Sequence, residues 1–325
     1  MIFVELLRRF NYEIIGYSPE WQEKTWELYQ KVFGGKSYSP YIRSLTERER
    51  VAEIWRWRFP QETSVRLLAI KNEEVIGHLG AWIREIDVFG EQILGAEMIE
   101  GLVDSLFRNG PAFYLLVQKM QVELESRGVK FAFLFPNQFS ERVVLKKSAA
   151  VREAFLLEKS LMPEWHDTHS FLADWKYFPE KASQIFVRNL GLSVIASRRT
   201  PEFIRWRFGE NLCETYFPIL LPDEKGYAIL KIYNNEKAHI VDLVAEDLDS
   251  FGSLLSKTER IAKSYGAKTI SLYPICEPWT GWVRDFGYQQ KNWGRKMAII
   301  CPDKEILPAR KISYWYLQMC EHSIF

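Results

Sequence analysis

Cysteine is scarce in this chain, and neither sign of charge predominates. Its 325 residues hold 4 cysteines, Cys213, Cys276, Cys301 and Cys320, and the first 212 positions hold none. A disulfide framework needs closely spaced pairs, so free thiols are expected. Lys and Arg number 43 against 42 Asp and Glu. That balance provides no global field to hold a polyanion or an acidic membrane, and no nucleic-acid partner is expected. No apolar run approaches the ~20 residues needed to cross a bilayer, so no membrane association is expected either. The opening stretch places Glu5, Arg8 and Arg9 where an export signal would be uninterruptedly apolar, so a cytoplasmic location is expected. His166 and His169 are three residues apart, but no Cys or carboxylate cluster joins them at ligand spacing, and no metal site is expected.

What is present is material for packed cores. Apolar residues make up 47% and charged residues 26%, which argues against disorder, and the length is about that of two ordinary domains. An internal repeat supports two. Glu53-Ile-Trp-Arg-Trp-Arg-Phe59 and Glu202-Phe-Ile-Arg-Trp-Arg-Phe208 share E-x-x-R-W-R-F. Gly77 and Gly226, each opening a strand-like run, stand at the same separation as Glu53 and Glu202. A third pair follows after a shorter connection in the second copy: Ser126-Arg-Gly-Val-Lys and Ser264-Tyr-Gly-Ala-Lys each end a helix at glycine and enter a strand. Residues 1–162 are read as one domain, 163–304 as a second, and 305–325 as an aromatic tail that packs across both.

The first copy reads as a strand near Asn11–Ile15 and helices over Glu20–Phe33 and Leu45–Phe59. A hairpin of Val65–Ile70 with Val75–Ile86 turns at Lys71–Glu74, and a further strand, Gln92–Val103, follows Phe89-Gly90. A helix from Pro111 to Arg127 stops at Gly128, and a strand covers Lys130–Phe135. A helix over Ser140–Lys147 and a strand pair around Val151–Leu161 close the unit. The second copy repeats this order from about Thr200 to Pro302, with its first helices supplied by Pro163–Arg199. The Trp-Arg-Trp-Arg-Phe stretch is read as a core stripe of Val51, Ile54, Trp55 and Phe59 with arginines at its edge, rather than as a base-stacking surface.

This order, with Val75-Ile-Gly-His-Leu-Gly80 on a strand and Gly110-Pro-Ala112 opening the long helix, resembles the GNAT superfamily of acyl-CoA-dependent N-acyltransferases. The resemblance covers about residues 10–160 and, more loosely, 200–302. It implies an α/β (α+β) fold with two tandem GNAT domains, each a mixed central sheet flanked by helices. It also implies acetyl-CoA or another acyl-CoA as co-substrate, a small-molecule or peptide amine as acceptor, and a monomer or homodimer. A diphosphate suits backbone amides at a helix N-terminus, where small residues let the chain approach. Leu102, Val103, Arg108, Asn109, Gly110, Ala112, Asn137 and Ser140 are therefore the expected cofactor-binding residues. The family's R/Q-x-x-G-x-G/A pattern is broken because Phe107 fills its first position.

An ammonium acceptor must lose a proton, so a carboxylate on the fourth strand is expected as base. Glu97 and Glu100 fall on opposite faces of that strand by alternation, and Glu100 is preferred. The family's acid position, seven residues beyond Asn137, holds Val144, which leaves Tyr114 as the candidate acid. In the second copy Glu246, Asp247 and Asp249 occupy the phosphate-loop region, where like charge repels a dianion. That copy reads as degenerate. The reading that results is an N-acyltransferase using its N-terminal domain; the alternative is a non-catalytic tandem GNAT-like binding or assembly protein.

Overall fold

Apolar alternation and strong turn residues build the first strands. Ser64–Lys71 (β2) pairs antiparallel with Glu74–Val88 (β3), joined at Asn72 and Glu73, both at positive φ. Phe89 and Gly90, also at positive φ, turn the chain into Glu91–Val103 (β4), as two-residue hairpin turns require. The computed structural model describes residues 10–33, 48–137, 140–148, 150–162, 164, 171–190, 194–233, 236–273, 279–300 and 315–316. Cys276, Cys301, Cys320, His166, His169, Tyr314, Phe325 and the start of the expected helix at Leu45 lie outside these residues, and Cys213 is a free thiol.

The chain divides into two compact units, and neither is one continuous stretch of sequence. The first takes residues 1–85, 93–152 and 296–310, and the second takes 86–92, 153–295 and 311–325. In the first unit Glu13–Gly16 (β1) leads to Gln22–Phe33 (α1) and Val51–Arg58 (α2). Ala112–Ser126 (α3), Phe131–Leu134 (β5) and Glu141–Lys147 (α4) follow β4. The strand order is β1-β2-β3-β4-β5, then the end of Gln289–Ile300 (β12), where Ala298–Ile300 pairs antiparallel with β5. Helix α3 stops as expected: Gly128 sits at φ +78 and Val129 N–H donates to the Leu124 carbonyl at 3.0 Å, the six-to-one bond of a glycine C-cap. Leu115, Leu116, Val117 and Met120 of α3 are fully buried, each contributing about 1.5–3 kcal/mol of apolar burial.

The second unit repeats the plan. Phe178–Leu190 (α5), Ile195–Ser197 (β7) and Pro201–Ile204 (α6) precede the meander Tyr216–Leu220 (β8), Gly226–Tyr233 (β9) and Lys237–Ala245 (β10). Leu248–Ser264 (α7), Thr269–Leu272 (β11) and Trp279–Asp285 (α8) complete it. Its strand order is β8-β9-β10-β11, then the later half of Ala150–Ser160 (β6). Residues 150–160 form this one strand rather than a hairpin, because the run Val-Arg-Glu-Ala-Phe-Leu-Leu-Glu-Lys has no turn-forming residue. Trp315 and Tyr316 of the aromatic tail are fully buried, and the Tyr316 hydroxyl donates to the Leu243 carbonyl.

The R-W-R-F motif departs from its expected placing. Val51, Ile54, Trp55 and Phe59 are buried as the stripe requires, yet Arg58 and Arg207, the second arginine of each copy, are buried as well, while Arg56 is exposed. In the second unit the buried charge is held by Arg199, which donates Nε to Asp242 Oδ2 at 3.0 Å and Nη2 to Oδ1 at 3.1 Å, while Tyr227 donates to Oδ2 at 2.9 Å. Both ionic side chains are fully buried. Replacing Asp242 by Ala leaves a guanidinium in the core without its counter-ion, at a cost of about 3–5 kcal/mol. Urea denaturation of D242A against wild type is expected to show a loss of that order; a loss below about 1 kcal/mol would show that the pair is dispensable.

Candidate active site

The fourth and fifth strands run parallel for only three residue pairs, Gly95 with Phe131 through Glu97 with Phe133. Beyond Glu97, β4 continues to Val103 while β5 ends at Leu134. The break is built locally. Glu100 sits at φ +52, a left-handed conformation that costs a non-glycine residue about 1–2 kcal/mol. Gly101 follows, and a Cβ there would come within 2.7 Å of the Phe113 ring. The glycine lets the first turn of α3 close against the strand while the bulge turns β4 aside.

A cavity of about 200 Å³ opens at this divergence. Leu102, Val103, Arg108, Asn137 and Ser140, five of the residues expected from sequence, line it together, with Gly101, Phe113, Val32 and Phe33 as further lining. Asn137 and Ser140 hold one another: Asn137 N–H donates to Ser140 Oγ at 3.0 Å and Ser140 N–H to Asn137 Oδ1 at 3.0 Å. The residues from 105 to 110 form an exposed connection between β4 and α3. Within it Leu106 N–H donates to the Asp104 carboxylate, Phe107 N–H to the Asp104 carbonyl and Gly110 N–H to the Phe107 carbonyl at 3.0 Å. Arg108 folds back, Nε donating to the Val103 carbonyl at 3.1 Å. Asn109 and Gly110 are exposed beside the cavity's lining residues in sequence, and Ala112 is buried at the start of α3. Gly110 lies over Tyr12, whose hydroxyl would stand 3.0 Å from an added Cβ. Phe107, where the family pattern has a polar residue, packs edge-on to Tyr12, with the Lys71 ammonium 5.1 Å from the Tyr12 ring and 5.4 Å from the Phe107 ring.

Glu100 takes part in a buried polar network. Its carboxylate accepts from Arg58 Nε at 2.9 Å and from the Tyr29 hydroxyl. His78, fully buried on β3, places Nδ1 3.0 Å from the Glu100 carbonyl, and its Nε2 accepts from Arg66 Nε at 3.3 Å. This places the imidazole proton on Nδ1. Burial raises the Glu100 pKa, but Arg58, His78 and the hydrogen bonds from Tyr29 and Arg58 outweigh it and leave it below the ordinary carboxylate value. Glu97 is also buried and pairs with Arg84. Neither Glu100 nor Tyr114 is among the cavity's lining residues, each standing next to one, Gly101 and Phe113; Tyr114 is half-buried against the core, and Val144 is fully buried. Sequence reasoning missed Arg58, Tyr29 and His78. A histidine inside an apolar strand and a glycine near the end of β4 were the available signals.

The second unit keeps the bulge, a register shift between Ile240 and Asp242, but its β10–α7 connection is Glu246-Asp247 alone. Asp247 caps α7, its carboxylate accepting from Ser250 N–H at 2.7 Å. The helix end that would attract an anion carries a carboxylate instead. Among the described residues no group of three or more His, Cys, Asp or Glu could hold a metal ion, and no helix is long and apolar enough to cross a membrane.

No family model matches the sequence, and no curated protein matches it. Solved structures do match the fold. A GCN5-related N-acetyltransferase from Kribbella flavida superposes with TM-score 0.61 at 12% identity, over 89% of this chain and 70% of that one. One from Anabaena variabilis gives 0.60 at 14% identity, over 89% and 72%. Saccharomyces cerevisiae N-myristoyltransferase with bound myristoyl-CoA gives 0.59 at 11% identity, over 89% and 82%. The chain has the GNAT N-acyltransferase fold.

Burial, reinforced by the Arg66 guanidinium, pushes the His78 pKa down to about 4 from its ordinary 6.5. Between those values the unfolded chain binds a proton that the folded chain refuses, so stability falls as pH drops through this window, by about 3 kcal/mol in all. His239, held down to about 3, acts in the same direction. In urea titrations at pH 7 and 4.5, His78→Gln is expected to remove most of its share of the acid-induced loss, whereas an unchanged loss would show that His78 does not titrate as the geometry requires.

Proposed function

We propose that the first unit binds an acyl-CoA and transfers its acyl group to an amine. The carrying observation is the divergence of β4 and β5 at Glu100–Gly101, which opens a cavity lined by Leu102, Val103, Arg108, Asn137 and Ser140 next to the β4–α3 connection. The residues fit such a co-substrate. The cavity is narrow against the ~300–1,000 Å³ of compact ligand sites and suits a slender chain such as the pantetheine arm. Leu102 and Val103 would flank that arm, and Asn137 and Ser140 would meet its amides. Arg108 with the N–H groups of Asn109 and Ala112 would hold the diphosphate at the N-terminus of α3, since Pro111 has no N–H and that of Gly110 goes to the Phe107 carbonyl. Gly110 permits the close approach. The relatives in fold support the choice of co-substrate, since one of them is described with bound myristoyl-CoA.

The thioester supplies an activated acyl carbon. The amine nitrogen bonds to that carbon, the C–S bond breaks, and the thiolate takes a proton from water or from Tyr114, the neighbour in α3 of the lining residue Phe113. As the nitrogen acquires its new bond its N–H becomes acidic, so a weak base suffices. The ammonium loses one proton to water before attack, and Glu100, one residue before Gly101 and ionised, is the carboxylate proposed to attract the cation and accept the second proton, released as the C–N bond forms. A second reading, a non-catalytic GNAT-like binding or assembly protein, is favoured by a specific observation: the Glu100 oxygens are already engaged by Arg58 and Tyr29.

A ligand at a hundred times its Kd stabilises by about 2.7 kcal/mol, enough for a clear rise in melting temperature. Acetyl-CoA and myristoyl-CoA are the probes, followed by thiol release in the presence of polyamine, aminosugar or peptide amine. A rise with at least one of them is expected, together with affinity at least tenfold weaker in R108A, as loss of a charged contact implies. No rise at millimolar acyl-CoA would overturn the reading, and binding without thiol release would favour the second.

A further inference from the structure

A second and larger cleft, of about 870 Å³, lies in the first unit beyond the end of β1. It shares no lining residue with the cavity between β4 and β5. The last β1 pair is Gly16 with Leu67, so Ser64 and Val65 continue β2 past its neighbour, and their edge forms one wall. Ile15 on one face of the sheet and Val65 and Leu67 on the other give it apolar lining around that edge.

Its charge is one-sided. Arg56, Arg66, Lys119 and Arg127 line it against a single acid, Glu123, and that acid is taken by Arg127 at 3.1 Å. Arg56, Arg66 and Lys119 pair with no carboxylate among the described residues. Three cations lining one cleft without a carboxylate partner among the described residues stand out in a chain whose charges otherwise balance.

Arg66 is held in an unusual way. Its guanidinium carbon lies 3.6 Å from the Tyr17 ring centre, 4.5 Å from that of Phe59 and 4.6 Å from that of Trp55. Its Nε donates to His78, while Nη2 is buried with no hydrogen-bond partner. An unmet guanidinium N–H is costly, and the three aromatic faces offset this without satisfying the donor. The fork is fixed in position with donor capacity to spare, as recognition of a carboxylate or phosphate requires.

We propose that this cleft binds an amphipathic organic anion, a carboxylate or phosphate monoester carried on an apolar chain. The acid group is met by Arg56 and Arg66, with Lys119 across the edge of β2, and the apolar body lies against the apolar lining at that edge. The site is separate from the acyl-CoA cavity and stands whether or not that cavity is active.

Isothermal titration of the full chain with decanoate and decyl phosphate tests it, with inorganic phosphate and decylamine as controls. At least one of the two amphipathic anions should bind one to one, and the stronger of them identifies the head group. Affinity should fall at least tenfold in the R56A/K119A double variant, whose residues lie on the rim and leave the His78 network intact, and should be unchanged in R108A. No binding of either anion at millimolar concentration would overturn the proposal. So would equal binding of decylamine, equal binding of inorganic phosphate, an unaffected double variant, or loss in R108A, which would move the ligand to the other cavity.

Discussion

The buried pairing of Arg58 with Glu100 is the interaction on which the architecture of the first unit turns. Glu100 is in a left-handed conformation that its backbone does not favour, and such strain persists only where the surroundings over-determine it. Here they do. Arg58 from α2 and Tyr29 from α1 hold the carboxylate, His78 from β3 meets the carbonyl of the same residue, and the Trp82 indole donates to the Arg58 carbonyl at 2.8 Å. Two helices and the neighbouring strand thus fix one bulge. The bulge turns β4 away from β5 and leaves the space lined by Leu102, Val103, Asn137 and Ser140. Removing one ionic partner would strand a charge in the core, so the opening and the stability of the unit have one origin.

The second unit uses the same device with different residues. Asp242, at its own bulge, stands as many residues before the end of β10 as Glu100 stands before the end of β4. Arg199 and Tyr227 hold it as Arg58 and Tyr29 hold Glu100. Tyr227 occupies the repeat position of His78. Burial, then the Asp242 charge, pushes its hydroxyl pKa well above the ordinary value, so it remains a donor. What the second unit lacks is the connection after the strand. Two residues there, one of them a capping aspartate, cannot form the longer exposed turn that the first unit makes between Val103 and Ala112.

Much of this was legible in the sequence. The E-x-x-R-W-R-F pair, Gly77 with Gly226 and the two helix-ending glycines marked a repeated strand-helix order because local turn and capping chemistry repeats with them. The lining of the cavity was legible in part, since Leu102, Val103, Arg108, Asn137 and Ser140 followed from the resemblance. The polar network was not. Strand alternation assigns Glu97 and Glu100 to opposite faces, but a bulge resets that alternation, and only tertiary packing reveals it. Arg58 and Arg207 read as edge residues because arginine is so rarely buried, and its partners are distant in sequence. The composition of the units was equally hidden: β6 and β12 are ordinary strand sequences, and nothing local in them states which sheet edge each will join.

Charge distribution separates what the two cavities of the first unit can recognise. Around the β4–β5 cavity polar groups are largely occupied within the protein: Asp104 accepts from Leu106 N–H, Asn137 and Ser140 are bonded to one another, and Arg108 rests on the Val103 carbonyl. A ligand there would gain from shape, from amides at the start of α3 and from the Arg108 charge. The cleft beside β2 is the reverse case, with apolar walls and cations that have no carboxylate partner among the described residues. With 42 acids to 43 bases the sequence has acids enough for almost every such cluster, so one left unneutralised among the described residues on a concave surface is where an anion from outside gains most. Arg66 adds a geometric constraint to that electrostatic one, because three aromatic rings fix its plane before any ligand arrives and so reduce the ordering cost of binding.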